Sequence, residues 1–184
     1  MAKVVQANIK NITPEEHHCD DEIMVVFKGR AALKRYMQGK PNPWGFKLWP
    51  RAGVSGILYN FDVYQGLADV KHRAPSALGI DGDVVLQMVE GLESGKNCKI
   101  FADNFFSNLS LVKALRTRFM FFVGTFRANR LKRCQLKLEK HLKKLRCSSL
   151  DMKVELESNI IAVHWFDSRC VDTLSSYIGL EPVD

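Results

Sequence analysis

Apolar and polar positions alternate over short stretches of this chain, and at three places they change to a helical period. The first twenty residues are polar and read as irregular, ending in "PEEHHCDDE". "EIMVVFKGR" then reads as a strand, β-branched and aromatic from Ile23 to Phe27, with Gly29 as its stop. Gly39, Pro41 and Pro43 break "LKRYMQGKPNPW" into a loop. "GFKLWPRAG" and "GILYNFDVYQG" follow as two strands around a turn from Gly53 to Gly56. In the second, Leu58, Asn60 and Asp62 share one side, and Ile57, Tyr59, Phe61 and Val63 the other. These three strands predict an antiparallel meander.

The period then changes. After the loop "GLADVKHRAPSALGIDG", Asp83 reads as an N-cap, followed by Val84, Val85, Met88, Val89 and Leu92 at helical spacing. "KIFAD" is a short buried strand. A second helix opens at Ser107 or Asn108, with Leu111, Val112 and Leu115 on one face. "FMFFVGTF" is apolar throughout, the pattern of a central strand covered on both sides. From Arg127 to Arg146 nine Lys or Arg face one acid, Glu139, while Leu131, Cys134, Leu138, Leu142 and Leu145 recur at three- and four-residue steps. That predicts an amphipathic basic helix. Met152–Leu156, Ile160–Trp165 and Val171–Tyr177 read as closing strands.

Composition narrows the function classes. A formal net charge of +7 favours anionic partners, nucleic acid first. No uncharged apolar run approaches the roughly 20 residues of a membrane span, and the start "MAKVVQANIK" lacks a signal-peptide core. Cys19, Cys98, Cys134, Cys147 and Cys170 are scattered without a C-x-x-C pair, which points to reduced thiols in the cytosol or nucleus. "GKPNPWG" has neither P-loop nor Rossmann spacing. Cys98 and the aromatics Trp44, Trp49, Phe105 and Phe106 read most simply as core. Base stacking stays open for the aromatics.

Three antiparallel strands followed by alternating helix and strand is the ribonuclease-H-like order: an α/β fold, a mixed sheet with helices. There, an acid on the first strand and one ending the fourth lie side by side on neighbouring strands, here Asp21 and Asp103. Carboxylates on rigid elements attract a hard divalent cation such as Mg²⁺, which leaves waters and phosphate oxygens to complete its shell. Taken singly, each acid has a plainer reading, Asp103 as a strand-end cap and Asp21 as a solvated loop residue. The rest of "HHCDDE" reads as solvated loop, since consecutive side chains converge poorly on one ion. His164, on "IAVHW", reads as a satisfied core histidine. The basic helix reads equally as a solvated face and as a DNA contact through Arg127, Arg130, Lys132 and Arg133. Lys28 and Arg30 are placed to anchor a phosphate near Asp21.

The segments "DEIMVVFKGR", "KPNPWGFKLW", "YNFDVYQG", "ADNFFS", "VGTFRANR" and "AVHWFDSRCV" resemble, in this order, the piggyBac transposase family, most closely its transposable-element-derived, domesticated branch. The resemblance runs from about Asp21 to Val183. It implies nuclear DNA strand-transfer chemistry on a ribonuclease-H-like (DDE transposase/integrase-like) core with three metal-binding aspartates and Mg²⁺ or Mn²⁺. The first carries over to Asp21 and the second to Asp103. The third belongs to a "GGVD"-like segment that would follow "GLEPV", and Asp167 and Asp172 are poor substitutes. The family's cysteine-rich zinc domain would also lie beyond residue 184.

The resemblance thus implies residues 1–20 as an irregular lead, 21–126 as the front of an incomplete transposase core, and 127–184 as the basic helix and start of a β-rich insertion. The expected protein is a truncated, nuclear, DNA-binding remnant with a vestigial site at Asp21 and Asp103. Its DNA binding would be salt-sensitive and weakly specific. A protein partner or dimer would cover apolar sheet surface left by the missing helix. Two rivals stand beside it: an active metal-dependent transposase or nuclease whose third acid comes from another chain, and a non-catalytic protein-interaction module.

Overall fold

A computed structural model describes residues 2–9, 11–66, 78–131, 134, 136–137, 139–145 and 149–178. The chain divides into two compact units, Met1–Leu92 and Glu93–Asp184.

The first unit is built on one long strand. Helix α1 (Ala2–Ile9) precedes β1 (His17–Asp20), β2 (Ile23–Val26), β3 (Arg35–Tyr36), β4 (Trp44–Gly53), β5 (Leu58–Val63) and helix α2 (Gly79–Met88). All four other strands pair antiparallel with β4: Asp20 opposes Arg51, Val26 opposes Gly45, Tyr36 opposes Trp44, and Pro50 opposes Phe61. Gly45 is required by this pairing, because a Cβ there would sit 2.1 Å from the Val25 carbonyl oxygen. Trp49, Tyr59, Phe61, Val84, Val85 and Met88 form the apolar interior.

Three expectations change in this unit. The lead segment is not wholly irregular: α1 packs on β5, where Gln6 Nε2 donates to the Phe61 carbonyl at 2.5 Å. "HHCD" is a strand, and it escaped notice because its inward residues are polar: His18 and Asp20 are buried while Cys19 is exposed. Asp83 is no N-cap. The helix starts four residues earlier at Gly79, and its start has no side-chain cap.

The second unit contains β6 (Lys99–Ala102), α3 (Leu109–Thr117), β7 (Phe121–Thr125), a 3₁₀ turn (Ala128–Arg130), α4 (Glu139–Leu145), β8 (Ser149–Glu155), β9 (Ile160–Phe166) and β10 (Cys170–Ser175). Strands β6 and β7 are parallel, joined through α3, and the strand order runs β6-β7-β10-β9-β8. Helix α3 follows its pattern closely. Asn108 caps it by accepting from Leu111 N at 2.8 Å, and Leu111, Val112 and Leu115 are fully buried. Ile100, Phe106, Met120 and Phe122 complete this core.

The closing strands match their expected positions, and β10 pairs antiparallel with β7, so they extend the same sheet. Strand β7 is less enclosed than its composition suggests: Phe122 and Gly124 are buried, Phe121 and Val123 only half-buried. A continuous basic helix does not form. Among the described residues of this stretch, the α-helix is Glu139–Leu145, with Glu139 in the first turn, Lys143 and Lys144 in the last, and Glu139 paired to Lys143 at 2.7 Å. That charge order suits the helix dipole. Of the predicted seam, Leu131 and Leu142 are buried, and Leu145 is exposed.

Candidate functional site

Asp21 is the first residue after β1. Its amide donates to the Pro50 carbonyl at 3.4 Å, which ties the strand exit to β4. Because the side chains alternate along β1, Asp20 turns inward and Asp21 is exposed. Asp21 Oδ1 accepts from the Glu22 amide at 2.7 Å. Its second oxygen has no partner among the described residues. Glu22 is held by Lys40 at 3.5 Å.

Inward-turned Asp20 has a different environment. Both its carboxylate oxygens are buried without a hydrogen-bond partner among the described residues. Burial pushes its pKa up to about 8, against a smaller opposing pull from the Arg51 guanidinium. Arg51 is itself buried, and its Nε donates at 2.7 Å to the Met88 carbonyl at the end of α2. A cation at a helix C-terminus satisfies an orphan carbonyl there and opposes the helix dipole. His18 lies 3.3 Å from the same guanidinium, and burial plus that charge hold it neutral, with a pKa lowered to about 4. Lys28 and Arg30 are exposed in the loop after β2, with no ion-pair partner among the described residues.

In the second unit, Asp103 leaves the carboxyl end of β6, where parallel β7 also ends. Its Oδ1 accepts from Phe105 N at 2.8 Å, and its carbonyl accepts from the Ser107 amide at 3.2 Å and hydroxyl at 2.8 Å. Asp103 therefore locks its own turn and leaves the capping of α3 to Asn108. One carboxylate oxygen remains without a partner among the described residues. Fully buried Phe106 anchors the turn, with Phe105 edge-on at 5.0 Å. Beneath it, Gly124 leaves no room for a side chain: a Cβ would meet the Ala102 carbonyl oxygen at 2.5 Å and Ser107 Oγ at 2.6 Å.

Two basic side chains reach this turn from the end of β7. Arg127 Nε donates to Asn104 Oδ1 at 3.1 Å, and Arg130 donates to the Ser107 carbonyl at 3.4 Å. Asn104 has no recognisable motif value on its own, and only its position beside Asp103 marks it. Lys132 and Arg133 lie outside the described residues. Asp167 occupies the β9–β10 turn, and Asp172 is engaged by His164 Nδ1. His164 is only half satisfied, since its Nε2 is buried without a partner among the described residues. Trp49 and Phe106 are core aromatics as expected, but Trp44 is 54% exposed.

Each of Asp21 and Asp103 thus presents a hard oxygen donor from a backbone-braced turn, a donor type suited to Mg²⁺ or Mn²⁺. In the second unit this donor stands beside guanidinium groups able to hold phosphate.

The family model described as Transposase IS4 matches residues 2–184. The human PiggyBac transposable element-derived protein 2 is 33% identical over 176 residues, covering 95% of this chain and 29% of the relative. The human PiggyBac transposable element-derived protein 3 is 29% identical over 187 residues, covering all of this chain and 31% of the relative. The chain therefore spans under a third of the length of these curated relatives. A cryo-EM structure of a piggyBac transposase synaptic complex with hairpin DNA superposes with a TM-score of 0.74 at 21% identity, over 94% of this chain and 35% of that one. The shared fold is the ribonuclease-H-like transposase fold. Among the described residues no helix is long and apolar enough to cross a membrane.

Proposed function

The chain belongs to the piggyBac-type family of DDE transposases, and from that premise we propose that it is a transposase-derived DNA-binding protein of the nucleus. In this reading residues 21–126 are the front of the transposase core, and Asp21 and Asp103 are the metal-ligand candidates that the family resemblance implies. One observation carries the DNA reading: Arg127 and Arg130 brace the turn of Asp103 at the carboxyl end of parallel strands. Ligands of α/β sheets bind at such strand ends.

The division of labour follows from the chain's own groups. Arg127, Arg130, Lys28 and Arg30 hold backbone phosphates, with Lys132 and Arg133 adding to the basic stretch. Asp21 and Asp103 offer one oxygen each to a cation. A bound divalent ion supplies Lewis-acid polarisation of a phosphodiester oxygen. Asn104 fixes the Arg127 fork and thereby the distance from phosphate to carboxylate. The resemblance assigns the family's third metal-binding acid to a "GGVD"-like segment following Val183.

Titration of the chain with Mn²⁺, and of labelled duplex DNA with the chain, tests this reading. Expected results are weak divalent-ion binding lost in Asp103→Ala, and duplex binding with a Kd near 10⁻⁴–10⁻⁶ M at physiological salt that tightens steeply at lower salt. Metal-dependent DNA cleavage that vanishes with Asp103→Ala would show the site to be active. No duplex binding at low salt would favour the interaction-module reading.

A further inference from the structure

The first unit carries a groove whose aromatic wall has no part in the reading above. It has a volume of about 670 Å³ and is walled by Phe27, Lys28, Arg30, Lys34, Pro43 and Trp44. This lies within the range of about 300–1,000 Å³ typical of small-ligand pockets. None of its lining residues carries a carboxylate.

Its aromatic wall is unusual for a core fold. Trp44 is 54% and its cross-strand partner Tyr36 is 56% exposed, with ring centroids 4.9 Å apart. Neither ring is needed to close the interior, which Trp49 and Phe61 fill from the other end of the β4–β5 pair. Such a large aromatic surface left in water forfeits burial energy unless a ligand covers it. The cations are arranged around it. Lys34 is held by the Gly29 carbonyl at 3.1 Å and stands 5.4 Å over the Trp44 ring, while Lys28 and Arg30 line the groove without an ion-pair partner among the described residues.

Flat aromatic surface beside unpaired cations is the chemistry that receives one kind of ligand: a base with an exposed π-face, joined to phosphate. Duplex DNA presents phosphates but keeps its base faces stacked inside, so a duplex uses the cations and leaves the rings idle. We propose that the groove is a subsite for an unpaired nucleotide of a DNA strand, with its base on Trp44 and its phosphates on Lys28 and Arg30. The proposal rests on the DNA-binding reading above and assigns to Trp44 a preference for unpaired over paired DNA.

The test compares a labelled single-stranded oligonucleotide with a blunt duplex of the same sequence by fluorescence polarisation, using the full chain. Trp44→Ala is expected to weaken single-strand binding about 5- to 150-fold, the loss of one base–aromatic stack, and duplex binding by less than about twofold. Trp44→Phe keeps an aromatic face and should stay within about threefold of the wild type. Lys28→Ala with Arg30→Ala should weaken both forms and reduce the salt slope on single strands by about 1.4. Thermal melts of each variant establish that it folds. Equal losses on both DNA forms in Trp44→Ala, no loss on either, or a Trp44→Phe as weak as Trp44→Ala would each overturn the subsite while leaving DNA binding in place. A wild-type chain that binds neither form at low salt would overturn the DNA reading and the subsite with it.

Discussion

Asp20 and Asp21 are adjacent and chemically identical, yet the alternation of β1 gives them opposite fates, and substituting each by Asn separates them. Asp20 is 1% exposed with its pKa raised from 3.8 to about 8. Between those values the unfolded chain is ionised while the folded chain keeps the proton. The folded state therefore binds one more proton, and stability falls as pH rises, by about 1.36 kcal/mol per pH unit. The contribution is fully present below about pH 3.8 and is lost by about pH 8. At pH 7 the accumulated cost is about 4 kcal/mol, a large part of a typical domain's stability. Fraying at the end of β1 sets a ceiling on it, because the strand opens locally once that is cheaper. Asp20→Asn removes the titration and keeps the shape. His18, held near 4 against an ordinary 6.5, gives the opposite slope between those values, but it does so in both proteins and cancels in the difference. Urea denaturation at pH 4, 6, 7 and 8 should therefore show Asp20→Asn level with the wild type at pH 4 and more stable by at least about 2 kcal/mol at pH 8. Asp21→Asn should stay within about 0.5 kcal/mol at every pH, as for other exposed positions, while losing divalent-ion affinity. Parallel pH profiles for wild type and Asp20→Asn would refute the burial argument. An exchange of the two phenotypes would mean that the strand register is off by one residue.

Gly124→Ala pushes a methyl group against the Ala102 carbonyl and Ser107 Oγ; it should cost about 1–3 kcal/mol in a thermal melt and weaken Mn²⁺ binding by displacing the Asp103 turn. Arg127→Ala removes the bond to Asn104 and should lower duplex affinity while reducing the salt slope by about 0.9, as read by a mobility shift at several salt concentrations. Leu115→Ala empties a fully buried position on α3 and should cost about 2–5 kcal/mol by urea denaturation, with metal affinity per folded molecule unchanged.

Much of the scaffold was legible in the sequence, for identifiable reasons. Helix α3 combines a side-chain cap with an apolar face of unbroken helical period, and both signals are local. Strands β4 and β5 meet at a glycine-bearing turn, and β9 alternates cleanly between buried and less buried positions. The failures have physical causes as well. Strand β1 buries a histidine and an aspartate, so a reading that equates inward with apolar passes over it. Asp20 and Arg51 come opposite each other only across strands, through a register no local pattern records. The leucine spacing from Arg127 to Arg146 imitates a helix, but repulsion among nine cations is relieved by an acid only near Glu139, where the helix forms.

The candidate site was partly visible for a different reason. Asp103 stands out because a carboxylate interrupts an apolar run, and that violation of the core pattern is itself the signal. Arg127 and Arg130 were visible only as charge; that they brace the Asp103 turn depends on β7 ending beside β6 in parallel register. Asn104 gave no signal of its own, and Trp44 read most simply as core, with base stacking left open. Each is ordinary in composition and becomes a functional candidate through one spatial fact: Asn104 through the guanidinium it holds, and Trp44 through the surface it leaves bare. The acids at strand ends carry the ancestry of the fold, while the residues proposed to select a DNA ligand are read from exposure and from unpaired charge. On the proposed reading, a chain that kept Asp21 and Asp103 but lost Lys28, Arg30 and Trp44 would keep its metal-ligand candidates and bind DNA differently.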